Sequence, residues 1–333
     1  MFRQTLCLLT LSLVTSCNPS PEGLTLGPPP GKALRTTELK GDAEQRLATL
    51  AAQTPLANNA LFTSYNKNGR SQWNSGWTRR IDFTGVVWSH RKAGAAITPR
   101  HIVFAGHYQH PVGAKLTFHD RSGQPHSRQI VRKISFRGRK DGTASDIAVA
   151  LLDRPLPEGI KVYRLLPPRS DYAHTLPEAP VLVTEQKRHV YIHKVRRLFG
   201  KGISFGKNEN QPAELYKSLI VGDSGHPSFL LVGGEPVLIE THTGGGPGSG
   251  PFYSDPLIFA ELQKAVAELD ATYAIATVPL DAHQTPAPPE KKPAPQPKLA
   301  PAPPQTTPTP SPGQTTPGAP RQPRVRRVPT PAN

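Results

Sequence analysis

Residues 219–229 read LIVGDSGHPSF. The apolar run Leu219-Ile220-Val221 reads as a buried strand, and Gly-Asp-Ser-Gly after it reads as a tight turn, because glycine reaches positive φ without a Cβ clash. A turn of that kind lifts one side chain clear of the sheet. If Ser224 is that side chain, the N–H groups of Gly222 and Ser224 point into one small space, where they can hold a developing oxyanion. The same tetrapeptide also builds ordinary solvent loops, since Gly, Asp and Ser favour turns for local reasons. A serine hydroxyl is a poor nucleophile alone. It needs a base within hydrogen-bond reach and a third group that orients the base.

Working outward from this stretch, the texture from about Tyr65 onward is a succession of short apolar runs separated by turn residues: IDFTGVVW, GAAITP, HIVFAGHY, KLTFHD, QIVRKISF, IAVALLD, VLVTE, HVYIHKV, SLIVG, SFLLV and PVLIET. Strands this short and this regularly spaced predict an all-β barrel or sandwich. A helix follows. Asp255 supplies a cap, Pro256 a first-turn proline, and Ile258, Leu262, Ala265, Val266 and Leu269 a stripe of helical period. A short helix, broken near Gly41, is expected between residues 37 and 53.

Two of these runs carry the groups a serine needs. AAITPRHIVFAGHY brings an apolar strand up to Ala105-Gly106-His107-Tyr108, so His107 stands at a strand end, where an imidazole can titrate and transfer protons. Single histidines are common in this chain, which has 12, and His101 and His110 are rivals. In TASDIAVALL, Asp146 stands at the mouth of an almost wholly apolar strand. A carboxylate there needs a hydrogen-bond partner, and an imidazole N–H is one. The alternative is a turn aspartate, as at Asp141 and Asp153.

Taken together, ITPRHIVFAGHY, SDIAVALL and VGDSGHP resemble the chymotrypsin-like (trypsin-like) serine protease family, whose chain order of histidine, aspartate and serine is the order His107, Asp146, Ser224. The resemblance covers roughly residues 65–272. It implies two six-stranded antiparallel β-barrels with a C-terminal helix packed outside. It further implies His107 as general base and acid, Asp146 as the group holding its tautomer, Ser224 as the acylated nucleophile, and Gly222 and Ser224 as oxyanion donors. Neither a metal nor a cofactor is implied. His226 departs from the family's usual glycine and is expected either to crowd the cleft or to point to solvent. No Ile-Val-Gly-Gly activation site is present, so Asp223 is expected to find another partner.

For substrate binding the resemblance points to Ser218, His242, Thr243 and Gly244. Ser218 stands six residues before the nucleophile, where trypsin-type enzymes place an acid, which argues against Lys or Arg at the cut site. His242 looks like the histidine of glutamate-specific members, although Leu219 stands where those members carry a hydroxyl. An acidic or small apolar residue is therefore expected before the scissile bond.

The chain ends belong to a different chemistry. Arg3 precedes the apolar stretch LCLLTLSLV, and Val14-Thr15-Ser16-Cys17 resembles a bacterial lipobox, which implies a lipid-modified Cys17 after removal of a signal peptide at 1–16. Asn18 in place of aspartate favours the outer membrane. Residues 17–57 are read as a tether with a short helix, 58–280 as the protease domain, and 281–333 as a disordered tail that holds 17 of the 39 prolines. The only cysteines are Cys7 and Cys17, so a disulfide, a zinc–thiolate site and a cysteine nucleophile are excluded from the mature core.

The net charge of +16 concentrates in Arg128–Lys140 and Lys187–Lys201. Such blocks suit anionic cell-wall polymers or lipid headgroups, or else solvated hairpins, and nucleic acid is not expected. The expected partners are thus a protein or peptide substrate and the membrane. A catalytically impaired binding module of the same fold, or a structural cell-wall tether, are the alternatives.

Overall fold

The computed structural model describes residues 33–281, apart from 90–91, 141 and 143–144. Cys17, the leader, the spacer before residue 33 and the tail after 281 lie outside the described residues.

Apolar runs become sheets here by antiparallel pairing. β1 (Phe62–Ser64) and β2 (Gln72–Trp73) form a small separate hairpin. The strands β3 (Val86–Ser89), β4 (Lys92–Thr98), β5 (His101–Ala105), β6 (Lys115–His119), β7 (Pro125–Ser135) and β8 (Ile147–Leu152) form one six-stranded sheet in the order β3-β4-β5-β8-β7-β6. After the short α2 (Tyr172–Thr175), the strands β9 (Pro180–Thr184), β10 (Val190–Phe199), β11 (Gly202–Lys207), β12 (Pro227–Val232), β13 (Glu235–Thr241) and β14 (Ser249–Pro251) form a second, in the order β13-β12-β9-β10-β11-β14. Every named pairing in both is antiparallel. β3 lies against β6 and β13 against β14, which curls each sheet on itself.

Every residue of β5, β8 and β12 is buried, which is why these strands read as continuous apolar runs rather than alternating ones. One apolar cluster fills the first barrel around Phe104 and Phe118, another fills the second around Val183 and Phe205. A third joins Val103 and Val149 of the first sheet to Leu182, Ile192 and Phe229 of the second. This shared cluster fixes the two sheets against each other. Whatever loops meet over it are held on a rigid base.

The C-terminal helix forms as expected: α3 spans Pro256–Leu269, and the Asp255 carboxylate accepts from the N–H groups of Leu257 (3.0 Å) and Ile258 (3.2 Å). It buries Ile258, Leu262, Ala265, Val266 and Leu269.

Three expectations need correction. The helix near the N-terminus, α1 (Leu39–Gln53), runs unbroken through Gly41, since intrahelical bonds and burial of Leu39, Ala43, Leu47 and Leu50 outweigh one glycine. Nor is it part of a tether. Leu47 and Leu50 belong to the shared core, and Asp42, itself bonded to Arg46, accepts from the Gly233 N–H at 2.7 Å at the turn between β12 and β13. The folded unit thus begins before residue 58, and its two ends are pinned where Leu34 bridges Leu280 and the Asp281 N–H donates to Leu34 O (2.8 Å). Finally, SLIVG is not a strand. Leu219 makes a single bridge to Gly246, Ile220 is 55% exposed and Val221 is 92% exposed. GISFGK and SGP, by contrast, form β11 and β14.

Candidate active site

The register of one strand pair places the first two groups. Ala105, the last residue of β5, lies opposite Ile147, the first of β8. The residues just outside that pair, Gly106-His107 and Asp146, are therefore neighbours. The Gly106 N–H donates to Asp146 O at 3.0 Å, and a short 3-10 turn over Gly106–Tyr108 swings His107 back over the aspartate. Gly106 matters by what it lacks: a Cβ there would lie 3.0 Å from Asp146 Oδ1 and from Ile147 N.

Asp146 grips the histidine twice. Oδ1 accepts from the His107 backbone N–H (2.7 Å), and Oδ2 accepts from the ring Nδ1–H (2.6 Å). A carboxylate can only accept, so the proton sits on Nδ1 and leaves Nε2 with a free lone pair. Ser224 Oγ, 2.9 Å away, donates to it. The side chains of His107 and Asp146 are each 30% exposed, so the chain of hydrogen bonds is open to a substrate without being flooded.

Ser224 is delivered by the loop between β11 and β12. Gly222 (φ 102°) and Gly225 (φ 85°) both take the left-handed region. The buried Asp223 pins the turn: Oδ2 accepts from the Ile220 N–H (2.7 Å) and Oδ1 from the Gln186 N–H (3.1 Å). Asp223 thus has the different partners expected of it. Gln186 Nε2 also donates to Val221 O (3.1 Å), a brace from the β9–β10 turn that no local sequence signal marks. Beside it, Glu185 is fully buried: burial would raise its carboxyl, but bonds from His189 and Lys217 hold it down at about 2. Among the described residues, the N–H groups of Gly222 and Ser224 have no protein acceptor, and they flank the nucleophile.

His226 takes neither expected place. It is wholly buried, with Nδ1 against Asp223 O (3.0 Å) and its ring 5.7 Å from that of Trp88. Burial lowers it to about 4, so it is a neutral core residue.

Next to Ser224 lies a cavity of about 550 Å³. His107, Leu219, Ile220, Val221, Ser224 and, opposite, His242-Thr243-Gly244-Gly245 line it. Three of the four residues expected to bind substrate are therefore brought together. Ser218 is not among them: it is exposed, and its hydroxyl lies 3.4 Å from that of Tyr216. The apolar residues that sequence reading assigned to a strand supply the wall instead. His242 presents its ring but not its polar atoms. Nε2 donates to Thr184 O (3.1 Å), and Nδ1 stands 2.8 Å from the buried carboxylate of Glu240. No group of three or more side chains that could hold a metal ion occurs among the described residues.

Two curled six-stranded antiparallel sheets, a C-terminal helix, and a serine, histidine and aspartate meeting where the sheets abut define a protein of chymotrypsin-like fold. No protein-family model and no curated protein matches the chain. Among solved structures it is similar to a mutant of human heparin binding protein, at 15% identity and a TM-score of 0.42, over 56% of this chain and 93% of that one.

Proposed function

We propose that the chain is a serine endopeptidase that works through an acyl-enzyme. The observation that carries this reading is the unbroken run from Asp146 Oδ2 through His107 to Ser224 Oγ, at 2.6 and 2.9 Å, beside an apolar cavity. Ser224 Oγ attacks the substrate carbonyl as its proton passes to His107 Nε2, and Asp146 stabilises the resulting imidazolium. The new C–O⁻ lies against the N–H groups of Gly222 and Ser224. His107 then gives the proton to the leaving amine, the C–N bond breaks, and a water activated by the same Nε2 hydrolyses the ester.

The cavity supports a choice between the two substrate classes expected from sequence. An acidic side chain would need a donor aimed at it, and both nitrogens of His242 face inward to Thr184 O and Glu240. Leu219, Ile220 and Val221 offer only carbon. The substrate residue before the scissile bond is therefore apolar and of medium size, such as Val or Leu. We place this activity in the cell envelope, tethered through a lipidated Cys17, as the lipobox-like VTSC implies.

Labelling with a fluorophosphonate probe tests the chemistry: the wild-type chain is expected to label and Ser224→Ala is not. Equal labelling of both would remove the hydrolase reading and leave a binding module. Profiling against a peptide library tests the specificity, with cleavage after Val or Leu expected; dominant cleavage after Glu, Lys or Arg would overturn it.

A further inference from the structure

A second cavity of about 550 Å³ shares no lining residue with the first. It opens between the β1–β2 hairpin, the 3-10 turn over Trp77–Arg80 and the turn linking β6 to β7. Close approach of backbone shapes its floor. The Ser71 N–H donates to Gly123 O (2.9 Å), and at Gly123 (φ 82°) a Cβ would lie 1.8 Å from Ser71 O. The lining includes Arg70, Arg79, Arg121, Gln72, Ser64 and Trp73, and no acidic residue.

Two of the arginines are locked in place by each other's main chain. Arg79 Nη2 donates to Arg121 O (2.7 Å), while Arg121 Nη2 donates to Arg79 O (2.8 Å) and Nη1 to Ile81 O (3.4 Å). Arg70 uses only Nε, on Ser122 O (3.1 Å). Donors remain on each guanidinium, and Gln72 and Ser64 add an amide and a hydroxyl. Among the described residues none of the three arginines makes an ion pair.

The nearby carboxylates are engaged elsewhere. Asp120 accepts from the Ser122 N–H and hydroxyl, the Gln124 N–H and His126. Asp82 accepts from the N–H and hydroxyl of Thr84. Burial lowers both Arg79 and Arg121, Arg121 lowers Arg79 further, and the charge of Asp82 offsets this only in part. Holding Arg79 and Arg121 partly buried side by side, with the exposed Arg70 at the rim, carries a cost that a visiting anion would offset.

We propose that this cleft binds a phosphate or sulfate ester group. Donor count selects that class: three guanidiniums with Gln72 and Ser64 offer more N–H and O–H groups than the two oxygens of a carboxylate accept, and the three terminal oxygens of a phosphate or sulfate ester take up more of them. Trp73 gives the site a reporter, because its half-buried ring lines the cleft, stacked at 4.2 Å on Phe62, whereas Trp77 and Trp88 are buried in the core.

The test is a titration of the full chain at constant ionic strength, following tryptophan emission. Inorganic phosphate, inorganic sulfate, glycerol 3-phosphate and a sulfated disaccharide are the probes, with chloride as the blank. Saturable binding of at least one oxyanion is expected; a preferred phosphate ester or a preferred sulfated sugar then tells which source the cleft serves. Arg121→Gln is expected to weaken binding about tenfold. Since Arg121 also holds backbone, Arg70→Gln serves as a second variant, expected to weaken binding severalfold without moving the unfolding midpoint in chloride. Titrations that match chloride, or saturation that both variants retain unchanged, would overturn the proposal.

Discussion

At the scale of single residues, the proposed chemistry depends on which nitrogen of His107 carries its proton. Asp146 fixes that choice through Oδ2 while Oδ1 holds the His107 main chain. Asp146→Asn would keep the shape and offer an amide N–H in place of an acceptor, favouring the wrong tautomer. Fluorophosphonate labelling should slow by about ten-thousandfold while the unfolding midpoint barely moves. A labelling rate near wild type would show that Asp146 is a structural residue. His107, Asp146 and Ser224 were legible in the sequence because His107 and Ser224 follow apolar runs and Asp146 immediately precedes one, positions that a side chain needed only for packing would not require. His226 and Gln186 were not legible. Their roles come from what packs on them across the fold, Trp88 in one case and the Val221 carbonyl in the other.

At the scale of elements, apolar pattern predicts burial but not the partner doing the burying. Leu219-Ile220-Val221 has the composition of a strand and lines a cavity instead, with Val221 almost wholly exposed. β11 and β14 carry no strand signal in the sequence because Gly202, Gly206 and Gly250 dilute their pattern, yet Gly250 is required: a Cβ there would lie 2.1 Å from Glu240 Oε2. Gly41 misled in the opposite direction. It sits inside α1, exposed, and a Cβ added there would meet nothing within 4 Å. Gly41→Ala should therefore stabilise the protein by about 0.5–1 kcal/mol, by narrowing the unfolded ensemble and favouring the helix. Leu50, fully buried on the same helix, gives the converse: Leu50→Ala should cost about 2–5 kcal/mol. Urea denaturation of both variants checks the claim that α1 is part of the folded unit. No loss in Leu50→Ala would return it to the status of a tether.

At the scale of the whole molecule, buried histidines tie stability to pH: four are lowered furthest, and burial lowers His119 as well. His101 and His110 belong to the first barrel, His193 and His226 to the second, and burial lowers each of the four to about 4. In the unfolded chain a histidine titrates near 6.5. Above that value both states are neutral and these groups leave stability independent of pH. Between about 6.5 and 4 the unfolded chain takes up protons that the folded chain refuses, so stability falls as pH falls, by about 1.4 kcal/mol per pH unit for each fully participating histidine. Glu185 does not offset this, because its contribution, set by a carboxyl held at about 2, is lost only at still lower pH. Unfolding free energy from urea titrations should therefore stay level from pH 8 to 7 and drop steeply toward pH 5. His110 packs edge-on to Phe104 at 5.6 Å and can be replaced by an apolar ring. His110→Phe should make the acid limb shallower by about one proton's worth, 1.4 kcal/mol per pH unit. A limb of unchanged slope would mean that His110 is already protonated in the native state, and a profile flat down to pH 5 would mean the same of all four.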